Sequence, residues 1–281
     1  MGGAVVSESR TPWQLMHGAP DSLTKLATGA SAEVYAWGDD CVLKLYRRGF
    51  PPESIALELK NARSAHALGM PTPSVAGPVE WDGRSGLVFE RVYGPTVYEL
   101  MQAGVPTMSQ LGCTLFDVQQ SIHRCELAEL VPLQASLAQR VRLARGLPET
   151  LRREAIDTLQ RAPLADTVCH GDLHPLNVIM AASGPVVIDW LDMGRGDPAI
   201  DVVRTLLYLR YGRRRQIDQA VRLEFLNAYM GRCREVWSGR MEQLQHWLRP
   251  VTVARLSHSS VNNDERVDLM ELLETRQGCL L

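Results

Sequence analysis

The sequence predicts a bilobal α+β fold, with a small N-terminal lobe built on an antiparallel β-sheet and one main helix, and a larger, mostly α-helical C-terminal lobe. Two pairs of β-like runs flank a single helical pattern before residue 92, and a mainly helical sequence follows from residue 97. The pattern changes near residues 91–95, which predicts two domains, 1–92 and 93–281.

The first pair of strands is predicted at 32–37 and 41–46, where Gly38-Asp39-Asp40 separates two apolar runs as in a β-hairpin. The second pair is predicted at 74–81 and 86–92, again joined by a glycine-containing turn. Two hairpins predict an antiparallel sheet in the first lobe.

The helix of the first lobe is predicted over 52–68, because Pro51-Pro52 stands at its start and Gly69 follows its end. Its apolar stripe consists of Ile55, Leu59, Ala62 and Ala65. In the second lobe, the helical pattern is interrupted between residues 166 and 201 by a compact unit with a strand run at 185–188.

Composition excludes several functional classes. The chain has 281 residues, and its 30 Lys and Arg against 32 Asp and Glu give a net charge of −2, which argues against a nucleic-acid partner. Polar residues interrupt the stretch 100–116, so no membrane span is expected, and no secretory signal is visible. Six scattered cysteines are interpreted as mostly reduced thiols of a cytoplasmic protein, and Arg213–Arg215 as a solvated turn.

The segment that carries chemistry is His170-Gly171-Asp172-Leu173-His174-Pro175-Leu176-Asn177, followed by Val186-Val187-Ile188-Asp189-Trp190. Asp172 and Asn177 are five residues apart, and Asp189 lies twelve further on, after a hydrophobic strand run. Phosphoryl transfer needs one carboxylate to accept or orient the hydroxyl proton of the acceptor, and hard oxygen ligands for Mg²⁺. Asp172 fits the first requirement, and Asn177 and Asp189 fit the second.

With these motifs the sequence resembles the aminoglycoside phosphotransferase and choline-kinase-like family of small-molecule kinases, relatives of the protein kinases. The resemblance implies a protein-kinase-like fold, Asp172 as catalytic base, Asn177 and Asp189 as metal ligands, and His170 and His174 as supports of the loop. It also implies ATP, or GTP, with Mg²⁺, and a small-molecule hydroxyl acceptor, with aminoglycosides among the candidates. The oligomeric state is left open.

In such kinases a lysine on the third strand contacts the nucleotide phosphates and pairs with a glutamate on the following helix. Lys44 lies within the predicted strand 41–46, and Glu58 shares the apolar stripe of the predicted helix. A carboxylate on a packed face needs a cation, because burying it unpaired is costly. Taken singly, each residue is also typical of a solvent-exposed position.

Other positions are assigned through the resemblance. The segment Thr28 to Tyr35 resembles the loop that covers the phosphates, with Gly29 and Ser31 as candidate phosphate contacts. Glu90 and Val92 are candidates for the hinge that binds the adenine edge through backbone groups. Asp201 is expected either to brace the catalytic loop or, like Asp197, to serve only as a helix N-cap.

Two other functions remain open. His170, Asp172 and His174 form a His-x-Asp-x-His pattern that is also found in metal-dependent hydrolases, although that interpretation leaves Lys44 and Asp189 unexplained. A catalytically silent kinase fold that serves as a binding protein is the second alternative, and a phosphotransfer assay would distinguish it from an active kinase.

The acceptor is the least determined part of the prediction. A polycationic aminoglycoside calls for an acidic cleft, and five acidic residues do cluster between 264 and 274. Eight acidic residues and eight arginines balance over 221–281, however. The acidic cluster is therefore also explained as the solvent-exposed face of an amphipathic helix that packs through Val267, Met270 and Leu273.

Overall fold

The computed structural model describes residues 23–105, 107–212, 217–258 and 261–274. The chain forms two compact units, of which unit 1 extends to residue 67 and includes 72–92, and unit 2 comprises 68–71 and 93–281. The basic run 213–215, interpreted above as a solvated turn, lies outside the described residues.

Unit 1 contains a five-stranded antiparallel sheet with the strand order β1-β2-β3-β5-β4. The strands are β1 (Lys25–Thr28), β2 (Ala32–Trp37), β3 (Cys41–Tyr46), β4 (Val75–Trp81) and β5 (Arg84–Glu90), and helix α1 (Pro52–Ala67) lies between β3 and β4 in the chain.

Strands β2 and β3 have the bounds that the sequence predicted, whereas β5 begins and ends two residues earlier than expected. Strand β1 escaped prediction because all four of its residues are exposed, so its sequence has no alternation of buried and exposed positions.

The two faces of β3 have different functions in the fold. Leu43 and Leu45 lie in a buried cluster with Trp37, on one face of the sheet. Tyr46 packs with Ile55 of α1 on the other face, and Lys44 shares this face because side chains two residues apart on a strand point the same way. Helix α1 therefore covers the face that carries Lys44.

Unit 2 is mainly helical. Its helices are α2 (Val97–Ala103), α3 (Met108–Ile122), α4 (Leu133–Leu143), α5 (Glu149–Arg161), α6 (Pro198–Tyr211), α7 (Gln219–Val236), α8 (Met241–Arg255) and α9 (Asn263–Glu274). Helix α6 is the most deeply buried of these, with ten buried residues in fourteen, and it packs against α7 and α8. It begins at an N-cap, Asp197, whose Oδ1 accepts a hydrogen bond from the Ala199 N–H at 2.9 Å.

Two small antiparallel ladders interrupt the helices between α5 and α6. Strands β6 (Val168–Cys169) and β9 (Gly194–Arg195) pair with each other, as do β7 (Val178–Ala181) and β8 (Gly184–Val187). These ladders form the compact unit that the sequence predicted between residues 166 and 201.

Helix α9 exists, but its buried face differs from the predicted one. Leu269, Leu272 and Leu273 are buried, whereas Val267, expected in the packed stripe, is 56% exposed. The charged residue Glu265 takes part in the buried face because Arg255 pairs with it at 2.8 Å. The buried face is therefore the one that carries three leucines, and the ion pair compensates the burial of Glu265.

None of the helices in the described residues combines the length and the apolar character that crossing a bilayer requires.

Candidate active site

The loop after β6 is held by a buried carboxylate. Oδ1 of Asp201 accepts a hydrogen bond from the Gly171 N–H at 2.8 Å, and its Oδ2 accepts one from the His170 N–H at 3.2 Å. Nε2 of His123 lies 3.0 Å from the same Oδ2. Burial opposes ionisation of Asp201, but the hydrogen bond and charge of His123 outweigh it and lower the pKa of the carboxyl. Asp201 thus braces the loop, and Asp197 is the helix cap.

Gly171 is required at its position for two reasons. Its φ is +81°, in the left-handed region that glycine adopts without strain. A Cβ atom at this position would also lie 2.0 Å from the backbone oxygen of Asp192. The close approach of these two backbone segments places Asp192 beside the loop that carries Asp172.

His170 uses both of its ring nitrogens within the loop. Nε2 lies 3.1 Å from the Ile188 carbonyl, and Nδ1 accepts a hydrogen bond from the Asp172 N–H at 3.2 Å. Burial lowers the pKa of His170, so the ring is neutral, with its proton on Nε2. Neither nitrogen has a lone pair left for a metal, which weakens the metal-hydrolase alternative.

Asp172 points its carboxylate at two basic side chains. Oδ1 lies 3.3 Å from Nη2 of Arg204, and Oδ2 lies 3.6 Å from Nε2 of His174. Burial raises the pKa of Asp172, but the interactions with His174 and Arg204 outweigh this effect and hold it well below the usual value. The side chain is one-third exposed, so an ionised carboxylate is open to an incoming group.

Asn177 and Asp189 stand together at the open end of the β7–β8 hairpin. Val178 pairs with Val187, and the Ile188 N–H donates to the Asn177 carbonyl at 3.0 Å, so the residues on either side of the hairpin are neighbours. Nδ2 of Asn177 donates to the backbone oxygen of Asp172 at 3.0 Å. The hairpin therefore carries both predicted metal ligands to the loop that carries Asp172.

The donor set fits a hard divalent cation. Because the amide nitrogen of Asn177 is bonded to the Asp172 carbonyl, its oxygen faces the opposite direction. Asp189 is exposed and has a φ of +67°, a conformation that aspartate tolerates better than most residues. A carboxylate and an amide oxygen are typical Mg²⁺ ligands.

One group of three potential metal ligands occurs among the described residues: His123, Cys169 and Asp201. The oxygens of Asp201 are already occupied by the loop N–H groups and by His123. Burial raises the pKa of the Cys169 thiol well above its usual value, so the sulfur is protonated and a poor ligand. We interpret this cluster as a hydrogen-bonded support for the loop.

In unit 1 the structure brings Lys44 and Glu58 together, as the periodicity of strand and helix predicted. Nζ of Lys44 lies 2.5 Å from Oε1 of Glu58, and the two side chains are 13% and 2% exposed. The Tyr46 hydroxyl donates to Oε2 of Glu58 at 2.7 Å. The sequence reasoning overlooked Tyr46, although its position two residues after Lys44 puts it on the same face of β3.

The remaining candidates of unit 1 lie in a turn and at a strand end. Gly29 and Ser31 belong to the turn between β1 and β2, where the Gly29 N–H donates to the Ala32 carbonyl at 2.8 Å. Glu90 ends β5, and both its N–H and its carboxylate bond to Ser74. Val92 follows two residues later.

A set of charged residues near Asp172 was overlooked by the sequence analysis. Nη2 of Arg204 lies 3.0 Å from Oδ2 of Asp192, and Nη2 of Arg140 lies 2.7 Å from the same oxygen. Arg204 follows Asp201 by three residues on α6, a spacing that could have indicated a shared helix face. No local pattern links Arg140 of α4 to this loop.

Comparison with known proteins identifies the class. A family model described as "Phosphotransferase enzyme family" (APH) matches residues 22–240, most of the chain, and the protein therefore belongs to this family. No curated protein matches the sequence.

Several solved structures share the fold. An "aminoglycoside-3'-phosphotransferase of type VIII" is 20% identical, with a TM-score of 0.60 over 86% of this chain and 97% of the other. "Amicoumacin kinase hAmiN in complex with AMP-PNP, Ca2+ and Ami" is 17% identical, with a TM-score of 0.62 over 92% and 88%. A "choline/ethanolamine kinase family protein" from Mesorhizobium loti is 18% identical, with a TM-score of 0.56 over 96% and 93%. The predicted α+β, kinase-like fold class is confirmed.

Proposed function

We propose that the protein is a kinase that transfers the γ-phosphoryl group of ATP to a hydroxyl group of a small molecule, with Mg²⁺. The observation that carries this proposal is the ionised, partly exposed carboxylate of Asp172, held beside the Asn177–Asp189 hairpin end. Membership of the phosphotransferase family and the amicoumacin kinase described with AMP-PNP support it.

In this proposal Asp172 accepts the proton of the acceptor hydroxyl as its oxygen attacks the γ-phosphorus. The bond from that phosphorus to the β–γ bridging oxygen breaks, so the products are ADP and a phosphate monoester. Arg204 and His174 keep Asp172 ionised at neutral pH, as the base must be before the proton arrives. Holding the acceptor in place supplies much of the rate enhancement.

Asn177 and Asp189 would hold the Mg²⁺ ion. When bound, the ion neutralises charge on the nucleotide phosphates. The hydrogen bond from Asn177 to the Asp172 carbonyl fixes the amide orientation that this function needs.

Residues 1–92 would form the nucleotide-binding lobe and residues 93–281 the catalytic and acceptor-binding lobe. Lys44, oriented by Glu58, would bind nucleotide phosphates, as would the turn with Gly29 and Ser31. Because the Glu90 N–H is engaged by Ser74, Glu90 would have only its carbonyl for an adenine edge.

The proposal is tested by measuring ADP release from ATP, and GDP release from GTP, with a panel of hydroxyl acceptors. The panel includes aminoglycosides, choline, ethanolamine, homoserine, neutral sugars and anionic sugars. We expect release that depends on acceptor, Mg²⁺ and Asp172. Nucleotide binding without acceptor-dependent release by any member would favour the catalytically silent alternative, and cleavage of esters without nucleotide would favour the hydrolase.

A further inference from the structure

A cavity next to Asp172 carries three arginines among the side chains that line it. It lies between α4, α6, α8 and the residues that follow α8, all in unit 2. Its charged lining residues are Arg140, Arg204, Arg255 and Asp172. Because it touches the proposed catalytic base, it is the place where an acceptor hydroxyl would meet Asp172.

The arginines of this cavity retain hydrogen-bond donors after their own ion pairs are counted. Arg140 bonds to Asp192 through Nη2 alone, and Arg255 bonds to Glu265 through Nε and Nη2. Within the described chain, no hydrogen bond of Arg140 Nε or Nη1, or of Arg255 Nη1, is made to protein. Asp192 and Glu265 are not among the lining residues, so the cavity presents guanidinium groups rather than the carboxylates that pair with them.

His258 provides a second observation on the charge of the cavity. It lines the cavity, and its pKa is lowered to about 4 by burial and by the charges of Arg255, Arg140 and Arg204, against the opposing charge of Asp172. The ring is therefore neutral at pH 7. Burial is the larger cause of this shift, and the arginine charges, which act in the same direction on His258, also disfavour a cationic ligand.

We propose that the acceptor is an alcohol that carries an anionic group, a carboxylate or a phosphate, and that Arg140 and Arg255 bind this group while the hydroxyl faces Asp172. The inference rests on the proposed function, which it makes more specific. Guanidinium groups bind carboxylates and phosphates through charge-assisted, often paired hydrogen bonds. A polycationic aminoglycoside would instead face three arginines at close range.

The first experiment measures equilibrium binding to the full-length wild-type protein by calorimetry, using compounds matched for their hydroxyl groups. Gluconate is compared with glucitol, glucose 6-phosphate with glucose, and glycerate with glycerol, and kanamycin serves as the polycation. We expect the anionic member of at least one pair to bind about tenfold or more tightly than its neutral counterpart. The advantage should shrink as the salt concentration rises. Carboxylate and phosphate pairs distinguish the two anionic groups.

The second experiment uses Arg140→Gln, with Arg249→Gln as the matched control. Asp192 keeps Arg204 as a partner when Arg140 is replaced, so no carboxylate is left unpaired. Arg249 lies on α8, is partly exposed, pairs with Glu154 and does not line the cavity. Arg140→Gln should weaken binding of the preferred anion about tenfold and leave binding of its neutral counterpart unchanged. Arg249→Gln should change neither.

Several results would overturn the inference. It fails if no anionic member binds more tightly than its neutral counterpart, or if kanamycin binds as well as the best anion. It also fails if Arg140→Gln raises KM for ATP and spares the acceptor, because the arginine would then bind nucleotide. If anions bind preferentially but no compound causes ADP release, the proposed kinase function is wrong. If ADP release occurs only with a neutral or cationic acceptor, the kinase function is retained and the proposal of an anionic acceptor is wrong.

Discussion

The carboxylate of Asp201, on helix α6, accepts a hydrogen bond from the backbone N–H of Gly171, thirty residues earlier in the chain, at 2.8 Å. Asp201 is fully buried. It therefore joins the most buried helix of unit 2 to the loop that carries Asp172, and the position of the proposed base depends on this helix.

Replacing Asp201 by asparagine should loosen that connection. The buried N–H groups of His170 and Gly171 cannot both be paired as well by an amide, so we expect the free energy of unfolding to fall by about 1–3 kcal/mol. Because Asp201 is a positioning residue, its substitution should lower kcat and leave KM for the nucleotide nearly unchanged. Asp218→Asn, an exposed N-cap of α7 where asparagine caps equally well, is the control. A full loss of nucleotide binding would contradict the assignment.

Replacing Asp172 by asparagine should remove the base and keep the loop. Asparagine has nearly the same shape but cannot take up a proton, and we expect kcat to fall by about 10² to 10⁴. Nucleotide affinity, measured by titration calorimetry, should be retained. Asp166→Asn, at a half-exposed ion pair with Arg195, should leave turnover unchanged. Turnover of Asp172→Asn near the wild-type value would remove Asp172 as the base.

Lys44 and Glu58 can be separated into structural and functional contributions by a double-mutant cycle. Lys44→Met leaves a buried carboxylate without its cation and should lower the free energy of unfolding by about 3–5 kcal/mol. Adding Glu58→Gln should restore much of this stability, because the amide carries no charge.

The double variant should regain stability but not nucleotide affinity, since Lys44 is the group proposed to contact phosphate. Urea unfolding and nucleotide titration are measured on both variants. Tyr46→Phe, which removes only one hydrogen bond to Glu58, is the control and should cost about 1 kcal/mol of stability. Recovery of ATP binding in the double variant would show that Lys44 is structural.

Asp189→Asn should raise the Mg²⁺ concentration needed for half-maximal activity by about tenfold or more. Asparagine tolerates the left-handed backbone at this position, so the hairpin should keep its shape. The matched control is Asp82→Asn, which also has a positive φ, of 49°, in an exposed turn of unit 1. An unchanged Mg²⁺ titration for Asp189→Asn would exclude this residue from the metal site.

Because of its lowered pKa, we expect His258 to make the folded protein less stable in mild acid. Its pKa is lowered from 6.5 to about 4 in the folded protein, so the unfolded chain takes up the proton first as the pH falls. The stability contribution is complete above pH 6.5 and is lost as the pH falls towards about 4. His258→Gln should show a smaller decrease in unfolding free energy between pH 7 and 5 than the wild type, whereas His66→Gln, at an exposed position of α1, should decrease as much as the wild type does.

Local patterns were sufficient for much of unit 1. Alternation and hairpin turns predicted β2 and β3 to the residue, and helical periodicity placed Glu58 on the face that meets Lys44. These features follow from spacing along one strand or one helix. Strand β1 was missed because its residues are all exposed, so that no burial pattern marks it.

The loop that carries Asp172 shows which features local sequence patterns do not predict. Its motif alone indicated Asp172, Asn177 and Asp189, because short spacings in the chain determine their proximity at a loop and a hairpin. The support of the loop by His123 and Asp201 depends on a contact between the residue after α3 and helix α6, which are distant in sequence, and it became visible only in the folded chain.

The arrangement of charges around the cavity beside Asp172 is the clearest case of a property that exists only after folding. Over residues 221–281 the numbers of acidic residues and arginines are equal, so composition does not indicate the charge of the ligand. In the folded chain Arg140 and Arg255 line the cavity, whereas Asp192 and Glu265, which pair with them, do not. Residue types and spacings determine which reaction the chain can support, whereas the orientation of charges from α4, α6 and α8 determines which molecule can enter. That orientation depends on contacts between residues distant in sequence.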